Sequence, residues 1–60
     1  MLVNTVRRYL RCTGMRPTSF GRRTINDPRL VDDLIAGRQP RAETVARIEA
    51  FIAAHPEGMR

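Results

Sequence analysis

The tripeptide Asn26-Asp27-Pro28 constrains this chain more than any other feature. Proline has no N–H and a fixed φ, so it breaks a helix interior but suits a first helical position. An aspartate just before it can accept a hydrogen bond from the free N–H groups of the first turn. The tripeptide therefore ends what precedes it and starts a helix. After it, Leu30, Val31, Leu34 and Ile35 recur at i, i+1, i+4 and i+5. That spacing predicts a buried stripe, with Arg29, Asp32, Asp33 and Ala36 on the outer face. Gly37 closes the segment as a C-cap, so a short helix is expected over about 28–36.

Three more helical segments surround it. Leu2, Val3, Val6, Tyr9 and Leu10 share one side of a helical wheel, and Asn4, Arg7, Arg8 and Arg11 share the other. This predicts a helix over about 2–12, stopped by Gly14, with Cys12 packing as a small hydrophobe at its end. A second helix is expected over 17–24, with Pro17 first and Phe20 as core anchor. Gly21 lies inside it and costs about 1 kcal/mol relative to alanine, which predicts close approach of another helix there. A fourth helix spans 42–54, with an inner seam of Val45, Ile48 and Ile52 that Phe51 widens. His55-Pro56 closes it, and the last few residues are expected to fray. No segment alternates with period two. The expected fold class is all-α: one compact four-helix domain over 1–60, with a helix-turn-helix at its centre.

Size and charge limit the function. Sixty residues, 42% of them hydrophobic, form one small core. A chain of this length buries only ~60% of its unfolded surface, which excludes a deep cleft or a doubly wound nucleotide-binding sheet. The formal net charge is +5, from eleven arginines, no lysine and six acids. Residues 1–26 hold Arg7, Arg8, Arg11, Arg16, Arg22 and Arg23 and no acid, for +6. Residues 27–60 hold Arg29, Arg38, Arg41, Arg47 and Arg60 against Asp27, Asp32, Asp33, Glu43, Glu49 and Glu57, for −1. Clustered arginine is the electrostatic footprint of a polyanion partner, although a solvated basic surface has the same composition.

Cys12 is the only cysteine. One thiol makes no intrachain disulfide, and with His55 it makes no zinc site; the expected setting is cytoplasmic. No apolar run approaches the ~20 residues of a membrane span, and the N-terminus lacks the pattern of a signal peptide. No enzyme, metal or cofactor is expected. There is one histidine and no glycine-rich phosphate loop, and the adjacent Asp32 and Asp33 point about 100° apart on a helix.

The ordered set of features from Met15 to Ile52 resembles the lambda-repressor-like (Cro/Xre-type) helix-turn-helix. The stretch covers well over half of the chain. Gly21 takes the place of a small residue in the family's second helix. Asp27 to Ala36 take the place of its recognition helix. Gly37, Arg38 and Pro40 match the glycine, basic residue and proline that follow, and Thr44, Val45, Arg47 and Ile48 match its fourth helix. The chain departs from the pattern at Pro17, where glutamine is common, at Ile25-Asn26, where glycine begins the turn, and at Ile35, where glutamate is common. The resemblance implies a sequence-specific, double-stranded DNA-binding transcriptional regulator of the bacterial or phage type, acting as a homodimer or cooperatively.

Candidate roles divide into positioning and reading. Arg16, Thr18 and Arg23, near the start and outer face of the second helix, are candidates for phosphate binding, as are Arg38 and Arg41 beyond the third. Arg29 is the candidate for reading guanine in the major groove. Asp32 or Asp33 can accept from cytosine N4, and Gln39 can reach an adenine or a phosphate. Bland readings stand beside these. Arg29 can pair with Asp33 at i, i+4, Asp32 and Asp33 can be a solvated face, and Arg7, Arg8 and Arg11 can be a solvated face or a patch for a second partner. The alternative function is a protein-interaction module on the same fold, binding another regulator or the transcription machinery through the acidic face of the third helix. A basic first helix lying on a membrane is a weaker reading, because its apolar side is needed for the core.

Overall fold

The computed structural model describes residues 2–57. Four helices form: α1 (Leu2–Thr13), α2 (Pro17–Ile25), α3 (Leu30–Ile35) and α4 (Ala42–Ala54). No strand occurs among the described residues. The domain measures 28 × 21 × 19 Å. α2 packs against both α3 and α4, and α1 lies on α3. The fraying expected of the last residues falls at 58–60, outside the described residues.

α1 turns Val6 and Tyr9 into the core and half-buries Leu2, Val3 and Leu10, as its wheel predicts. Its apolar side is therefore occupied within the domain. Cys12 corrects the expectation for it: the side chain is exposed. At 100° per residue it falls beside Thr5, about 120° from the centre of the buried stripe. Thr13 ends the helix instead. Its hydroxyl donates to the Tyr9 carbonyl (2.8 Å) and accepts from the Met15 N–H (3.2 Å).

α2 begins at Pro17, as expected, and buries Phe20 and Thr24. The Thr24 hydroxyl is satisfied inside its own helix, donating to the Phe20 carbonyl at 2.8 Å. The helix stops at Asn26, whose φ of 58° and ψ of 36° are left-handed. Asparagine tolerates that region better than other non-glycine residues, so Asn26 serves where a glycine is usual. Its N–H donates to Arg22 O, and the Asp27 N–H reaches back to Gly21 O, both at 3.0 Å.

That return explains Gly21. A Cβ there would collide with the Asp27 carbonyl oxygen and sit 3.2 Å from Leu30 Cβ. The close approach inferred from sequence is real, but it comes from the turn backbone and the first residue of α3.

α3 is shorter than expected. The regular helix starts at Leu30 and ends at Ile35. Asp27 is therefore not the N-cap; Arg29 holds that position with no side-chain cap bond, and Asp27 instead closes the turn ahead of the helix, its Oδ1 accepting the Arg29 N–H at 2.9 Å and its carbonyl the Leu30 N–H at 3.2 Å. That second bond spans three residues, and Arg29 sits at ψ 2°. The first turn is therefore tighter than an α-helix. Leu30, Val31 and Leu34 are buried, whereas Ile35 is 57% exposed, which corrects its place in the stripe. The buried arc of so short a helix centres among the first three, and Ile35 lies about 95° away from it.

α4 buries Ile48 fully; Val45, Ile52 and Phe51 are half-buried. Phe51 meets Phe20 edge-on at 5.7 Å and Tyr9 at 6.3 Å, and Tyr9 lies 5.6 Å from Phe20. The His55 ring covers Phe51 at 4.7 Å. The Tyr9 hydroxyl donates to the His55 carbonyl at 2.6 Å, tying α1 to the end of α4. Burial pushes the Tyr9 hydroxyl above its ordinary pKa.

Candidate nucleic-acid interface

The corner between α2 and α3 sets up the candidate surface. With Gly21, Asp27 and Leu30 in contact, α3 cannot rotate about its axis without displacing the turn. One side of α3 is therefore committed to the core and the other to solvent. Arg29 and Asp32 are exposed on that outer side, and Asp33 is half-buried at its edge.

The Arg29–Asp33 pair allowed by the i, i+4 spacing does not form. Asp33 pairs with Arg38 instead, Oδ2 to Nη1 at 3.3 Å. The cause lies at the end of α3. Gly37 takes a φ of +96°. Its N–H bonds to Leu34 O at 3.1 Å, and the Arg38 N–H bonds to Asp33 O at 3.0 Å. This double reversal is a Schellman cap, and it folds Arg38 back over the helix it has just left. An exposed pair of this kind contributes about 0.2–1 kcal/mol. Among the described residues it is the only ion pair.

The remaining candidates fall into two groups. Gln39, exposed in the loop, borders an open cleft together with Asp33, Arg38, Asp27 and Thr44. Arg16 and Arg23 border a second depression by the start of α2, together with Thr13, Ser19 and the acid Glu57. Thr18 is exposed at the second residue of α2, and Arg41 is exposed just before α4. Arg7, Arg8 and Arg11 form a separate basic patch with Asn4 on the outer side of α1.

The sequence reading had not placed Asp27 and Thr44 on this surface, nor Ser19 beside the two arginines. It had not paired Arg38 with Asp33 either. The only sequence signal for that pair is Gly37, whose reversal brings residues five apart onto one side.

Among the described residues no group of three or more histidine, cysteine, aspartate or glutamate side chains could hold a metal ion. No helix among them is long and apolar enough to cross a membrane. Comparison with protein-family models, curated proteins and solved structures returns no match.

Proposed function

We propose that this protein is a sequence-specific, double-stranded DNA-binding regulator of the lambda-repressor-like type, with α3 entering the major groove. The observation that carries this reading is the exposed outer face of α3, which presents Arg29, together with the exposed arginines that precede and follow that helix in the chain: Arg16 at the start of α2, Arg23 within it, and Arg41 just before α4. A major groove about 12 Å wide admits one helix. Phosphates on its two walls would then lie against the flanking guanidinium groups. Arg29 is the reader of guanine in this proposal, and Gln39 a secondary contact from the loop.

So short a helix spans only a few base pairs. Two copies on half-sites one helical turn apart would double the site, so binding as a dimer or cooperatively belongs to the proposal. So does a cytoplasmic location, where the DNA is.

A salt titration of duplex binding tests the reading. Arg16, Arg23, Arg38 and Arg41 are the charged phosphate candidates, so log K should fall with log salt at a slope of about −3.6 per bound chain. Arg29→Ala should cost about 1–3 kcal/mol at one base position, and Arg41→Ala should weaken all sequences alike and flatten the slope by about 1. Absence of duplex binding at low salt sinks the proposal.

One observation favours a second reading, a protein-binding role for the same helix. Ile35 is 57% exposed and Asp32 is exposed nearby, a pairing of apolar and acidic groups that suits a protein better than a phosphate wall. Asp32→Ala would then leave duplex affinity unchanged or higher while abolishing binding to the protein partner.

A further inference from the structure

We infer that Asp33 and Arg38 act as one base-reading unit, in which Arg38 fixes the carboxylate and Asp33 accepts a hydrogen bond from cytosine N4. The inference rests on the duplex-binding reading above and names the specificity of that site.

The two acids of α3 differ in what holds them. Asp32 is exposed and makes no side-chain hydrogen bond or ion pair among the described residues. Asp33 is linked to Arg38 twice, through its carbonyl to the Arg38 N–H at 3.0 Å and through Oδ2 to the guanidinium at 3.3 Å. Both links depend on the left-handed turn at Gly37. The Asp33 side chain is 35% exposed and that of Arg38 75% exposed, so the carboxylate is held from the side while remaining open to a ligand.

Three consequences follow for a nucleic acid partner. A held carboxylate loses less side-chain freedom on binding than a free one. The pair is close to neutral, so Asp33 can approach DNA without the full repulsion that an isolated carboxylate would meet from phosphates. The contact also uses one carboxylate oxygen and one guanidinium N–H. It leaves Oδ1 as an acceptor and four N–H groups of Arg38 for a neighbouring phosphate.

An ionised carboxylate only accepts hydrogen bonds, so it selects a base edge that donates. Cytosine presents N4–H₂ in the major groove. Adenine presents N6–H₂ beside the acceptor N7, which repels a second oxygen and suits an amide instead. Asp33 therefore specifies cytosine, and an asparagine there would specify adenine. Arg38 is a positioning residue for this contact.

The test is selection of bound sequences from a random duplex pool, using the full chain as wild type and as Asp33→Asn, Arg38→Ala, Arg38→Lys and Asp32→Asn. Wild type should select cytosine at one position. Asp33→Asn should exchange it for adenine, by about 5- to 100-fold at that position alone. Arg38→Ala should lose the cytosine preference while still binding unselected duplex, and Arg38→Lys should restore part of it. Asp32→Asn should select as wild type does. Thermal melting checks that each variant folds; if Arg38→Ala does not, Arg38→Lys and Asp33→Asn decide the matter. Retention of cytosine by Asp33→Asn, or its loss in Asp32→Asn, overturns the inference. So does an unaltered preference in a folded Arg38→Ala. A wild type that selects a site with no cytosine preference at any position overturns it while leaving the DNA-binding proposal standing, and one that binds every duplex equally overturns both the inference and the sequence specificity of that proposal. A wild type that binds no duplex overturns both and leaves α3 as a protein-binding face.

Discussion

At its N-terminal end α3 leans on Gly21, and at its C-terminal end it stops at Gly37. The first glycine sits inside α2 and is required because there is no space: the Asp27 carbonyl and Leu30 Cβ occupy the place of a side chain. The second has nothing within 4 Å of a built Cβ, and it is required because its φ is +96°. One end of α3 is held by steric contact with the core, the other by backbone conformation in open solvent. The difference teaches where this domain can tolerate change. The core end sets the orientation of α3, whereas the solvent end sets the path of the loop and the place of Arg38.

Replacement of Gly21 is expected to have the largest effect. In Gly21→Ala the added methyl meets backbone, which cannot swing aside as a flexible side chain can. A cost of about 3 kcal/mol or more is expected, at the upper end for overpacking. A 60-residue domain has only roughly 3–9 kcal/mol of total stability. Gly21→Ala should therefore be largely unfolded by circular dichroism at 37 °C. A cooperative melt close to that of wild type would show that the turn can move, and would remove the contrast between the two ends.

Gly37→Ala should cost less, about 1–2 kcal/mol, the penalty of a left-handed conformation for a residue with a Cβ. Gly37→Asn should recover part of that loss, because asparagine is the other residue used at this cap position. Chemical denaturation of the three proteins gives the ranking. If alanine and asparagine cost the same, conformation is not what the glycine supplies.

These two glycines also show what was legible in the sequence. Helical spacing and the breaks at Gly14, Asn26-Asp27-Pro28 and Gly37 were sufficient for four helices and their order. A glycine inside α2 was sufficient to predict a close approach. Which atoms approach depends on how the chain returns after Asn26, and periodicity carries no information on that. The exposure of Ile35 was hidden for a related reason. In a six-residue helix the i+5 position lies at the edge of the buried arc, and only the placement of α1 and α2 decides which side of that edge it takes. Cys12 stands at the same kind of margin on α1. The Asp33–Arg38 pair was hidden because it depends on the Schellman reversal. A straight helical reading offers Arg29 as the partner at i, i+4 and has no geometry for a residue beyond the glycine.

The Tyr9 hydroxyl provides a control remote from both ends. Tyr9→Phe removes the bond to the His55 carbonyl and should cost about 0.5–1.5 kcal/mol. Its effect should add to that of Gly37→Ala, since the two share no partner. The same hydroxyl introduces a pH dependence. Its pKa is raised in the folded chain by burial, so the folded state holds the proton more tightly than the unfolded one. The associated stability is fully present below the ordinary tyrosine pKa of about 10 and is lost as pH rises through the folded value. Wild type should therefore weaken above about pH 10 more steeply than Tyr9→Phe. Parallel alkaline melting curves would show that the hydroxyl is not buried in solution.

The smallest effect on stability belongs to the side-chain link between Asp33 and Arg38. Both groups face water, so Arg38→Ala should cost about 0.2–1 kcal/mol at low salt. The loss should shrink toward zero near 1 M salt, where screening acts within about 3 Å. The penalties of Gly21→Ala and Gly37→Ala should survive that salt, because neither arises from charge. The backbone half of the cap, from the Arg38 N–H to Asp33 O, does not depend on the side chain and should remain. Arg38→Ala therefore separates the two components of the solvent end: the conformation imposed by Gly37 and the charge pair that this conformation brings together. A salt-independent loss of 2 kcal/mol or more would mean that the guanidinium supports the loop by packing. The C-terminal end of α3 would then resemble the crowded N-terminal end more closely than the empty space around Gly37 implies.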